Sequence, residues 1–190
     1  MTRTFAVLAA LLGLLLLATF SVGWWSFATR AIDGDAASLT FKNNLFIAHF
    51  YLGLATAILN LLVHCLIFTY FLGTGRWIKE VGIAYRLDDG DLPKATRELK
   101  RRVFPAALYA MLVGIATAAA GAGVDIKAWP WYVHATLGTL TLLVNIWAFR
   151  VEFQCLSENA RVLTAVLTEV DRIREEQGLV SNAEALAQVK

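Results

Sequence analysis

Cysteine is nearly missing from this chain: Cys65 and Cys155 are the only two in 190 residues, and they form no CxxC pattern. This excludes a disulfide-stapled scaffold and gives no support to a zinc site, so both read as small buried side chains. Charge is also sparse, at 17% of residues against about a quarter in ordinary globular domains. Also missing are a nucleophile-base pair, a phosphate loop and paired carboxylates, so no enzyme signature is present. No nucleic-acid motif occurs, and no nucleic-acid partner is expected. Histidine is the third scarcity, with only His49, His64 and His134.

Apolar residues dominate instead, at 58% of the chain with a mean hydropathy of +0.58. Four stretches, at about 5–29, 45–72, 104–124 and 131–153, are long enough to cross roughly 30 Å of hydrocarbon as helices. Fourteen of the seventeen Lys and Arg residues fall in the amino terminus, in 73–103, or at and beyond the inner end of the fourth stretch from Arg150 on, leaving Arg30, Lys42 and Lys127 for the other side. Positive residues stay cytoplasmic, which predicts both termini in the cytoplasm of a bacterium whose inner membrane holds the chain. This topology accounts for the net charge of +2. Lys100-Arg101-Arg102 reads as a topology determinant beside lipid headgroups. Trp24, Trp25, Trp129, Trp131 and Tyr132 form an expected outer aromatic belt, with Trp77 and Tyr85 at the inner interface. Arg3 before an apolar run has the look of a signal peptide, but the run reaches about Trp25 without a small-x-small cleavage site, so a retained first helix is expected.

The fold class that follows is all-α: an integral membrane four-helix up-down-up-down bundle over 1–155, with a cytoplasmic extension of the fourth helix in 156–190. The loop 74–102 reads as two short amphipathic pieces around Asp88-Asp89-Gly90-Asp91, with Pro93 at a helix start. Beyond the fourth span, Leu156, Leu163, Leu167, Val170 and Ile173 form one stripe that would bind the amphipathic loop or a second subunit. Gly178 stops this helix, and Ser181 with Glu184 reads as a capping box for a last short one.

Two of the apolar stretches carry the same pattern. His49-x-x-Leu52-Gly53-x-x-Thr56-x-x-x-Asn60 is matched by His134-x-x-Leu137-Gly138-x-x-Thr141-x-x-x-Asn145. The polar and small positions of each fall on one helix face, which in lipid turns inward toward partners. The match makes the two helix pairs candidate copies of one unit, related by an axis along the membrane normal. Both histidines lie about one turn inside the outer end, and histidines within membrane spans mark functional sites. Small residues accumulate at the same depth, with Ser21 and Gly23 in the first helix and Ala118, Ala119, Ala120, Gly121, Ala122 and Gly123 in the third. They leave room for a flat ring, and Gly53 and Gly138 keep its faces uncrowded.

On these residues the chain resembles the four-helix transmembrane b-type cytochromes, in which histidines of the second and fourth helices hold haem b. The resemblance covers the four spans and implies His49 and His134 as axial iron ligands, with electron transfer as the function. Quinone is a candidate partner, as are other membrane or redox subunits or a second copy docked through the cytoplasmic helix. A chlorin, a direct metal site and metal-free packing against Asn, Thr or water remain open for the same pair. So does a different class of function, a non-redox subunit or sensor that docks a partner through that helix. Two-haem cytochromes place a second histidine pair toward the other face, whereas here His64 faces Phe149 in the repeat. His64 is therefore a weak second-site candidate, with Met111 or Tyr109, and one haem is expected rather than two. Glu152 and Arg150 are its candidate hydrogen-bonding partners, and a quinone or proton-relay role stays open. Asn60 and Asn145 are expected to bond each other or opposite helices and so fix the bundle register.

Overall fold

The computed structural model describes residues 1–29, 36–87 and 92–181 and is all helical there. The helices are α1 (Thr2–Thr29), α2 (Ala36–Tyr85), α3 (Leu92–Asp125) and α4 (Trp131–Glu176). Each is long and apolar enough to cross a membrane. At 1.5 Å per residue the 50 residues of α2 span about 75 Å, far more than a bilayer core, so α2 and α4 both run on past the four-helix part.

α1 packs on α2, α2 on α3 and α3 on α4, while α4 closes back onto α1 and meets α2 across the middle. The main core joins Phe5, Leu12 and Leu16 of α1 to Val63, Ile67 and Phe71 of α2, Leu99 and Val103 of α3 and Leu156 of α4. Large apolar side chains such as Leu14, Ile58, Leu112 and Leu143 face outward, half or more exposed. Such a surface is consistent with contact to lipid.

The two amphipathic pieces expected within 74–102 are helical, but they are continuous with the spans, as the end of α2 and the start of α3, rather than separate short helices. Gly73, Gly75 and Gly82 each cost a helix about 1 kcal/mol relative to alanine, but packing outweighs that cost. Ile78 and Leu87 pack against Val166 and Val170 of α4, flanked by Val81, Leu163 and Ile173. The stripe on α4 is therefore covered from within the chain, and its line passes through Val166 rather than Leu167, which is 41% exposed. Trp77 and Tyr85 pack, partly buried, against this cluster, and the Tyr85 hydroxyl accepts a bond from Arg174 at 3.2 Å. Pro93 does lie at the start of α3, which begins well before Phe104 and contains Pro105. The Asp88-Asp89-Gly90-Asp91 turn, Arg30, Glu184 and the last short helix lie outside the described residues.

Three helix ends share one closure. Leu87 donates to the Gly82 carbonyl, Ala128 to Gly123 and Leu179 to Arg174, at 3.0, 2.9 and 2.8 Å. Each satisfies a terminal carbonyl by turning one residue into the left-handed region, here Arg86, Lys127 and Gly178. Gly178 thus ends α4 as the sequence suggests.

Candidate functional site

A cavity of about 480 Å³ opens among all four helices near the ends of α1 and α3, within the range of about 300–1,000 Å³ typical of small-molecule sites. His49, His134, Gly23, Gly53, Gly121 and Gly138 all line it. The expected site residues are therefore brought together, with the exception of His64, which is not part of the lining. Trp24, Phe27 and Trp131 form one wall, with the Phe27 and Trp131 rings stacked at 4.4 Å.

The two histidines sit in matching surroundings. His49 Nδ1 donates to the Thr19 carbonyl at 3.1 Å, and His134 Nδ1 donates to the Thr117 carbonyl at 3.0 Å. A backbone carbonyl can only accept, so each proton is fixed on Nδ1 and each Nε2 carries the lone pair. The same residues support the helices that bear the rings. The Thr19 and Thr56 hydroxyls meet at 2.8 Å, and those of Thr117 and Thr141 meet at 2.7 Å. Thr56 and Thr141 in turn donate back to the Leu52 and Leu137 carbonyls of their own helices.

Thr19 and Thr117 escaped the sequence reading. The signal was present: Thr19-x-x-x-Gly23 in α1 recurs as Thr117-x-x-x-Gly121 in α3, so the repeat includes all four helices.

The glycines divide into two kinds. A Cβ on Gly23 would lie 2.7 Å from His49 Cε1, and one on Gly121 would lie 3.0 Å from His134 Cε1. These two make room for the imidazoles themselves, which corrects the expectation that they open space for a ring between the helices. Gly53 and Gly138 would meet their nearest neighbours only at 3.8 and 4.0 Å, so they do face open space. Ser21 is exposed and outside the lining, as is Ala119, whereas Ala118 and Ala122 line the cavity. Gly23→Ala is accordingly expected to lower ligand retention by about tenfold or more, on the scale of lost outer-shell support. Gly53→Ala leaves the protein's own packing undisturbed, so any loss of retention there reports crowding of a ligand in the cavity, and a desalting column compares the two.

The His49 and His134 ring centroids are 5.8 Å apart with planes at 75°. One metal bound by both Nε2 atoms at about 2 Å each would set the centroids roughly 6–6.5 Å apart, close to the observed separation. Among the described residues no group of three or more His, Cys, Asp or Glu side chains forms a metal cluster. Two imidazoles are then the donor set, which suits an iron whose remaining donors come from a macrocycle. The residues fit a bis-histidine haem.

His64 takes a different role from the second-site ligand expected as a weak candidate. Its Nδ1 lies 2.7 Å from Glu152 Oε1 and its Nε2 lies 3.1 Å from Asn145 Oδ1. With both nitrogens engaged, it has no lone pair aimed at a second iron. Met111 instead lies 3.7 Å from Cys65 Sγ, Tyr109 is exposed, and so is Arg150. Asn60 donates to the Ala110 carbonyl of α3 at 3.1 Å, and Gly114 makes room for it, since a Cβ there would lie 2.5 Å from Asn60 Nδ2. Both asparagines tie helices together, through Ala110 and through His64 rather than through each other.

No protein-family model, curated protein or solved structure matches this chain.

Proposed function

We propose that this chain is a membrane-bound b-type cytochrome, with haem b held between His49 and His134 near the outer face. In this reading residues 1–155 form an up-down-up-down bundle in a bacterial inner membrane and residues 156–190 are cytoplasmic, as are both termini. The segregation of basic residues supports that orientation. The exposed Trp24, Trp25, Trp129, Trp131 and Tyr132 gathered at the opposite end support it too.

The observation that carries the haem assignment is the matched pair of Nδ1–H bonds to Thr19 and Thr117. They hold each imidazole in the ligating tautomer and orientation across a cavity of ring-accommodating size. Haem supplies reversible one-electron chemistry at its iron. The protein's part is to fix both rings, to exclude water through the Trp24, Phe27 and Trp131 wall, and to expose a cavity mouth at membrane depth. A membrane-dissolved quinol is the donor class suited to such a mouth, with an outer-side redox protein or subunit as acceptor.

The rival reading, a non-redox subunit or sensor docking through the α4 extension, needs an open apolar face there. Val166 and Val170 are covered by Ile78 and Leu87, so such docking would have to use the exposed Ile83, Leu167 and Leu179 instead. The visible spectrum of the purified protein, before and after dithionite, is the test. A reduced b-type spectrum at one haem per chain is expected, unchanged in stoichiometry in His64→Ala, and a colourless folded protein overturns the assignment.

A further inference from the structure

Below the cavity the two halves of the repeat stop matching. Where α4 carries Phe149 and Glu152, α2 carries His64 and Ile67 at the corresponding positions. His64, Glu152 and Asn145 are fully buried, at 0% exposure. Asn145 Nδ2 donates to the Thr141 carbonyl at 2.9 Å, which turns Oδ1 toward His64. An amide oxygen and a carboxylate are both acceptors, so His64 and Glu152 together hold two protons in this arrangement. One sits on Nε2 and the other lies between Nδ1 and Oε1. With one proton fewer, Nδ1–H still serves Glu152 but Nε2 becomes an acceptor. Asn145 can satisfy it by rotating Nδ2 toward the ring, and is therefore a positioning residue with two settings.

Hydrogen bonds link this pair to the cavity through the α3/α4 half. His134 bonds Thr117, the Thr117 hydroxyl meets Thr141, Asn145 bonds the Thr141 carbonyl, and His64 bonds Asn145. In the α1/α2 half Asn60 turns instead to the Ala110 carbonyl. Toward the α2/α4 extension, Glu152 Oε2 and Asn159 Oδ1 are buried acceptors without a protein partner among the described residues. Asn159 Nδ2 reaches the half-buried Tyr70 hydroxyl at 3.2 Å and Thr74 at 3.3 Å. Other titratable groups around the pair are Cys155 on α4, Tyr70 on α2 and the Arg102–Glu158 ion pair joining α3 to α4 at 2.9 Å. The α1 face of this core is apolar, with Phe5 and Leu12.

We propose that His64 and Glu152 form a proton-binding site coupled to the oxidation state of the His49/His134 site, a reading that rests on the haem assignment. Reduction places one electron at the upper site, supplied by a quinol in the membrane or by dithionite in the cuvette. One proton enters past Tyr70, Thr74 and Asn159 on the Glu152 side and is held by the His64–Glu152 pair. Oxidation releases both, and no other bond forms or breaks.

The test is the midpoint potential of the holoprotein as a function of pH. The potential should fall as pH rises, with a slope approaching about 59 mV per unit for one proton per electron. In Glu152→Gln and His64→Phe the slope should largely vanish, while Glu152→Asp should retain it. Should the carboxyl variants fail to fold, redox-difference infrared spectra of unaltered protein decide: a deuterium-sensitive carboxyl band that moves on ¹³C-glutamate labelling, in protein reconstituted with unlabelled haem, is expected from Glu152, which is not a haem ligand. Equal slopes in wild type and both disabling variants, or the lack of such a band, overturn the proton site and leave the haem assignment standing. A protein that binds no haem overturns both.

Discussion

Replacing either His49 or His134 by alanine is expected to reduce the low-spin haem spectrum to background, the largest functional effect predicted for this chain. Each ring supplies one of the two imidazole donors at the cavity, and its Nδ1–H bond leaves the lone pair on Nε2. Losing one donor leaves the other with half of the coordination and opens a void where the ring stood, which also admits water. The two variants should behave alike, because both imidazoles have the same carbonyl partner, the same glycine behind them and the same threonine pair below them. The helical circular dichroism signal should persist in both, since neither ring belongs to the apolar core. A variant that kept a normal reduced spectrum would remove its histidine from the ligand set.

The second large effect concerns stability. Glu152→Ala is expected to destabilise the bundle by about 3–5 kcal/mol, the usual cost of breaking a buried pair from one side. His64 would lose the partner of Nδ1 at full burial, with only Asn145 left to it. His64→Ala should be comparably costly, because it strands Glu152, whose second oxygen already lacks a partner among the described residues. The double replacement His64→Phe with Glu152→Ile copies into each helix the residue its counterpart carries and makes the two halves alike at this level. Well-packed apolar replacements of buried ion pairs are often neutral or stabilising, with about 1–3 kcal/mol lost where Asn145 forfeits its donor. The double variant should therefore exceed either single one in thermal midpoint in detergent. If it melted below both, pairing would not be what makes the single changes costly.

The sequence made the helices and the cavity-lining histidines legible because both rest on local signals: long apolar runs, and a face of polar and small residues repeated in register. Thr19 and Thr117 were not legible in this way. A threonine in a membrane helix is unremarkable until its carbonyl is seen beneath an imidazole 30 or 17 residues away. Gly23 and Gly121 stood out, but residue type cannot say whether the space a glycine leaves belongs to a neighbouring side chain or to a ligand. The length of α2 was not legible because its apolar run ends near residue 72, whereas the contacts that carry the helix on to Tyr85 come from Val166 and Val170, more than 80 residues on. For His64 the candidate partner Glu152 was legible as a nearby acidic residue, but the turn of Asn145 toward the ring depends on the Thr141 carbonyl and shows only in three dimensions.

The unbroken course of α2 and α4 has a mechanical side. From His134 to Arg174, α4 is one rod of about 60 Å, and from His49 to Tyr85, α2 is one of about 54 Å. Their far ends are clasped by Ile78, Leu87, Val166 and Val170 and by the bond between Tyr85 and Arg174. A torque applied to that clasp has no intervening hinge in which to dissipate, so it reaches the angle between the two imidazoles directly. The handle at one end of the molecule and the jaws at the other belong to the same pair of levers.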